Sequence, residues 1–112
     1  MTRAQFRRLA LALPEADERS HMSHPDFRVR GKIFATLSSE HLRATVNLTL
    51  DQQEMLVAGK PRTFVPATGG WGRRGWTNIL LPKASVAAVH VALEFAWGSV
   101  APKKLREGMD GE

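Results

Sequence analysis

Apolar positions recur at two different spacings along this chain, and the change of spacing divides it into elements. Near the start, Phe6, Leu9, Ala10 and Leu13 fall at i, i+3, i+4 and i+7. That period predicts a helix over 2–13. Thr2 followed by Gln5 fits a capping box, and Pro14 stops the helix. A polar connector, 15–20, follows. The spacing then drops to two. Phe27-Arg28-Val29-Arg30 alternates apolar and basic residues, as a half-buried strand does. Residues 32–37 form a second strand and 42–48 a third, with Ala44, Val46 and Leu48 pointing inwards. The short turns at Gly31-Lys32 and 38–41 require antiparallel pairing. Residues 27–48 therefore read as a three-stranded meander with one apolar face and one polar, basic face carrying Arg28, Arg30 and Arg43.

The helical spacing returns briefly at 51–58, with Asp51 as the expected N-cap, Gly59 just past the end, and Met55 and Leu56 as anchors. Two further strands are expected at 63–65 and 76–81. Pro66 marks the first as short and near an edge. Between them lies Gly69-Gly70-Trp71-Gly72-Arg73-Arg74-Gly75, which reads as a cationic loop with an aromatic tip. Residues 85–98 form the longest helix, with an apolar stripe of Val86, Val89, Leu93, Ala96, Trp97 and Val100. His90 falls on or beside that stripe as a packed, hydrogen-bonded side chain. Pro102 breaks the helix, Lys103-Lys104-Leu105-Arg106 follows as a basic tail, and 108–112 look frayed. The predicted order is α-β-β-β-α-β-β-α. This is an α+β domain over 1–107 with a five-stranded antiparallel sheet.

Composition narrows the function more than the fold. The chain has 112 residues, a net charge of +5 and no cysteine. It is large enough for one core. Disulfide frameworks and thiolate chemistry are excluded. The first residues lack the apolar run of a signal peptide, and no stretch approaches a membrane span, so a cytoplasmic address is expected. The placement of charge matters more than its total. From Met55 to Leu93 there is no acidic residue, while Lys60, Arg62, Arg73, Arg74 and Lys83 all fall there. An interval of that kind presents positive potential and favours an anionic partner.

Candidate chemistry is sparse. His21, His24 and Asp26 lack a further ligand at a convincing spacing, so no metal is expected. There is no P-loop, dinucleotide fingerprint or nucleophile–base set, so no catalytic residue and no cofactor is assigned. The best-supported reading is sequence-nonspecific nucleic-acid binding. Arg73 and Arg74 would meet phosphates, Trp71 would stack on an unpaired base, and Arg28, Arg30, Lys32 and Arg43 would extend the track. An alternative is a protein-interaction or chaperone-like module using an open sheet face, with Phe34, Thr36 and Trp76 exposed on it.

Several phrases resemble the MmcQ/YjbR-like family. They are 27–36 (Phe-Arg-Val-Arg-Gly-Lys-Ile-Phe-Ala-Thr), Val46-Asn47-Leu48, Phe64-x-Pro66-Ala67, Gly69-Gly70-Trp71-Gly72-x-x-Gly75-Trp76-Thr77, Ala96-Trp97 and Ala101-Pro102-Lys103. They occur in the family's order from the first helix to Lys104. The resemblance implies a two-layer domain with helices on one face of the sheet, likened to frataxin-like and secretion-chaperone-like folds. It also implies DNA binding through a double-wing surface and no enzymatic activity. The expected partner is DNA or another polyanion, with no membrane, and the expected state is a monomer or weak homodimer.

Overall fold

The computed structural model describes residues 1–21 and 24–110. Its elements, in chain order, are α1 (Arg3–Leu11), β1 (Ala16–His21), β2 (His24–Val29), β3 (Lys32–Leu37), β4 (Arg43–Asn47), α2 (Leu50–Gly59), β5 (Phe64–Pro66), α3 (Gly70–Arg73), β6 (Trp76–Leu80), α4 (Val86–Val100) and α5 (Lys103–Asp110). All strands join one antiparallel sheet in the order β1-β2-β3-β4-β6-β5. The α+β class and the antiparallel sheet are as the sequence predicts.

The strand count is six rather than five. The expected polar connector is β1, which pairs with β2 from Ala16↔Val29 to His21↔His24. Its residues carry charge because it is an edge, where charged side chains discourage pairing with another chain. The β2–β3 turn has both central residues at positive φ, Arg30 at 50° and Gly31 at 83°. That backbone suits a two-residue hairpin.

Helix caps follow local chemistry. Thr2 and Gln5 form the expected capping box on α1. On α2 the cap is Thr49, not Asp51. Thr49 accepts from the Gln52 N–H, and the Gln52 side chain accepts from the Thr49 N–H. The glycine-rich stretch is not a loop finger but a single helical turn, α3. The expected basic tail is helical as α5. Gly111 and Glu112 lie outside the described residues, as do Met22, Ser23 and the His21 side chain. With His21 goes the His21–His24–Asp26 metal reading.

The core lies between one sheet face and the helices α1 and α4. Phe6 and Ala10 of α1 share one buried cluster with Phe27 and Val29 of β2, Ala35 and Leu37 of β3, Ala44 and Val46 of β4 and Ile79 of β6. The helix α4 contributes Val89, Ala92, Leu93, Ala96 and Trp97. Phe6 and Phe27 meet edge to face with centroids 5.9 Å apart. The Trp97 indole N–H donates to the Pro14 carbonyl at 2.9 Å, tying the end of α4 to the exit from α1. Val86 and Met55, expected as core anchors, are exposed. His90 is also exposed, with its Nδ1 2.9 Å from Glu94 one turn on. Phe34 is buried in the core, not displayed on the open face. A register shift explains this. Phe27 pairs with Ala35 but Arg28 with Ile33, leaving Phe34 as the extra residue of a bulge.

Among the described residues, no helix is long and apolar enough to cross a membrane.

Candidate functional site

The second face of the sheet is not covered by α1 or α4, and its two halves differ in character. On the β1–β2 half, positive charge is cancelled. Arg28 donates to Asp26 through Nε at 2.7 Å and through Nη2 at 3.0 Å. These residues are two apart on one strand and so share a face. Asp26 is buried, and the Arg28 guanidinium supplies its hydrogen bonds. The same contact raises the Arg28 pKa. Arg19 donates to Asp17 at 3.0 Å, and Asp17 stands opposite Arg28 in the register. Arg30 makes a fork to Glu15 at 3.0 and 3.2 Å. That hydrogen bond lowers the Glu15 pKa and raises that of Arg30. On the helix-covered side, Arg7 of α1 is paired to Glu18, which stands opposite the core residue Phe27.

The β3–β4–β6 half is different. Among the described residues, Lys32, Arg43, Arg73 and Arg74 have no carboxylate within 4.0 Å. Lys32 pairs with the core-facing Val29 at the hairpin tip, so it does not join this half. Arg43 does. It sits at one end of the β4–β6 ladder opposite Leu80, and Trp76 sits at the other end opposite Asn47. The two ends are four residue steps apart, about 13 Å of strand. Between them runs an open groove of about 530 Å³. Its floor is Ile33, Thr36, Thr45 and Asn78. Its far wall is Ala67, Thr68, Trp71 and Trp76. Thr45 donates to the Asn78 side-chain oxygen at 2.8 Å, so the amide N–H groups are the remaining hydrogen-bonding capacity of this groove-lining side chain.

Trp71 dominates the far wall. It is 61% exposed, the most exposed of the large apolar side chains among the described residues. Its ring meets Trp76 edge to face, with centroids 6.1 Å apart and planes at 80°. The Arg74 guanidinium carbon lies 5.8 Å from the Trp71 ring centre, a cation–π contact.

Two glycines and a glutamine hold this wall in place. A Cβ on Gly72 would come within 1.9 Å of the Ala67 carbonyl oxygen, and one on Gly75 within 1.9 Å of the Leu48 carbonyl oxygen. Gly75 also has a φ of +104°. The α3 turn is therefore pressed backbone to backbone against its neighbours, which only glycine permits. The Gln53 side-chain amide of α2 donates to the Gly72 carbonyl at 3.0 Å, the Trp76 carbonyl at 3.2 Å and the Thr77 hydroxyl at 3.1 Å.

Of the residues singled out from sequence, the fold brings Arg43 and Trp71 into the groove lining and Arg74 over the Trp71 ring, with Arg73 in the same α3 turn as Trp71. It commits Arg28 and Arg30 to carboxylates elsewhere and leaves Lys32 at the hairpin tip. Gln53, Thr45 and Asn78 were not foreseen. Thr45 and Asn78 sit at outward positions of adjacent strands, a signal that becomes useful only once β4 and β6 are known to be neighbours. A second depression of about 380 Å³, at α4 and α5, is lined by Glu94 and Arg106 together and includes none of the foreseen residues.

Comparison with known proteins adds the family. No curated protein matches the chain. A crystal structure of a Deinococcus radiodurans protein with a DUF419 domain shares the fold, with a TM-score of 0.76 at 16% identity. The match covers 97% of this chain and 88% of the other. The model of the YjbR family matches residues 11–99, from the end of α1 through nearly all of α4. The chain therefore belongs to the YjbR family.

Proposed function

We propose that this protein binds nucleic acid, DNA in the first instance, at the tryptophan-walled groove, and that it works by binding rather than by catalysis. One observation carries the reading. An exposed Trp71, with Arg74 over its ring, stands beside a groove whose neighbouring arginines have no carboxylate partner among the described residues. Unpaired arginines give phosphate affinity, and an exposed indole gives a stacking surface that accepts any base. Phosphate contacts position a strand without choosing its sequence. The site comprises Trp71, Arg73, Arg74 and Arg43. Arg28 and Arg30 contribute little, because each is neutralised.

Tryptophan fluorescence during titration with single- and double-stranded oligonucleotides, repeated over a salt series, tests this. The expected result is quenching with an affinity that falls as salt rises. No salt-dependent binding at low ionic strength would end the reading.

A second reading, a protein-interaction surface, draws on the apolar part of the same groove, Ile33, Ala67 and Trp76. Light scattering addresses its simplest form: a stable dimer whose formation is abolished by Trp71→Ala would favour it.

A further inference from the structure

We infer that the groove takes an unpaired base, inserted between the tryptophan wall and the Asn78 amide, and that the protein therefore prefers single strands to duplex. This rests on the nucleic-acid reading above and narrows it. Three features point to it. First, Trp71 lines the groove with 61% of its surface exposed, while Arg74 lies over its ring and Trp76 meets it edge to face. A base that stacks there must present a free π-face, which paired bases inside a duplex do not. Second, the floor beside the wall carries polar groups. Thr36, Thr45 and Asn78 form a cross-strand row there, with Arg43 on one side and Ile33 and Trp76 on the other. With its oxygen engaged by Thr45, Asn78 offers N–H donors, and every base edge carries an acceptor for one of them. Third, a cation stands near each end: Arg43 lines the groove at one end of the ladder, and Arg74 lies over the ring of the wall residue Trp71 at the other. Phosphates on either side of an inserted base would meet them. A duplex laid on the sheet would reach the arginines but leave the groove empty.

The experiment compares three probes of equal length: an oligothymidine strand, the same strand with abasic sites, and a duplex. The abasic strand keeps the phosphates and removes the bases. The thymidine strand should bind about tenfold more tightly than the other two at the same salt concentration. Trp71→Ala should cost about tenfold on the thymidine strand and nothing further on the abasic strand, because the two changes remove the same contact. Asn78→Ala should cost a few-fold on the thymidine strand only, with the salt slope unchanged. A thermal melt of each variant confirms that it folds. Equal binding of all three probes would overturn this inference and leave the nucleic-acid reading standing. Failure of all three to bind at low salt would overturn both.

Discussion

The Arg74 guanidinium sits over the Trp71 ring at 5.8 Å, while the ring itself is 61% exposed. An exposed indole costs free energy in water that burial would recover. Here the ring is held out by a rigid turn and only partly covered, by Arg74 over it and Trp76 edge to face with it. Removing it should therefore disturb binding and not folding. Trp71→Ala is expected to change the unfolding free energy by no more than about 0.5–1 kcal/mol. The same variant should weaken oligonucleotide binding about tenfold. Urea denaturation and fluorescence anisotropy check the two halves. A large loss of stability would mean that the ring is structural.

Two arginines of the same sheet face should behave oppositely. Among the described residues, Arg28 supplies the two side-chain hydrogen bonds of the buried Asp26. Arg43 is unpaired among the described residues and lines the groove. Arg28→Ala strands a buried carboxylate and should lower the melting temperature while barely changing the salt slope of binding. Arg43→Ala should leave the melting temperature nearly unchanged and reduce that slope by about 0.7 on a single strand. Calorimetry together with a salt titration separates these outcomes.

The backbone approach at α3 makes a sharper demand. A methyl group at Gly72 or Gly75 would overlap a carbonyl oxygen at 1.9 Å. Neither obstacle is a side chain that can swing aside. Gly72→Ala and Gly75→Ala should each cost about 3 kcal/mol or more. Gly70→Ala, whose methyl would have only the far end of Arg73 nearby at 3.8 Å, should be tolerated. Denaturant unfolding of the three variants gives the comparison.

Acid should weaken one identifiable contact. Glu15 is held below its ordinary pKa of 4.5 chiefly by the hydrogen bond from Arg30. A carboxylate with a lowered folded-state pKa stabilises above its unfolded value. That contribution is lost as pH falls through the folded value. Glu15→Gln should therefore destabilise the protein slightly at pH 7 and lose less than the parent does on acidification to pH 3. Urea midpoints at the two pH values measure the difference. Identical slopes for parent and variant would show that the pair contributes nothing.

Much of the architecture was legible because the two hydrophobic periods are clean. The alternation at Ala44, Val46 and Leu48 placed a strand correctly, and all three side chains are buried. Thr2 and Gln5 announced the first helix. The same Thr-x-x-Gln pattern at Thr49 and Gln52 was equally available, yet Asp51 drew attention as the commoner kind of cap. β1 was hidden for a physical reason. An edge strand with Asp17, Glu18 and Arg19 shows little hydrophobic alternation, since charge is what protects it. Missing β1 also hid the fate of Arg30, because its partner Glu15 lies just before that strand. The bulge at β2–β3 moved Phe34 to the core, and no local signal announces a bulge. In the candidate site, Trp71, Arg73 and Arg74 were readable from composition. The groove was not, because it depends on β4 and β6 lying side by side although residues 48–75 intervene.

The glycine contacts at α3 have a kinetic consequence. A turn clamped by Gly72, Gly75 and the three bonds from Gln53 has little freedom left to surrender. A partner reaching Trp71 meets a surface already in its final shape, so it need not wait for a segment to order and forfeits little entropy on arrival. Encounter should then be limited by diffusion and steered by the arginines, and differences between partners should appear mainly in how long each one stays.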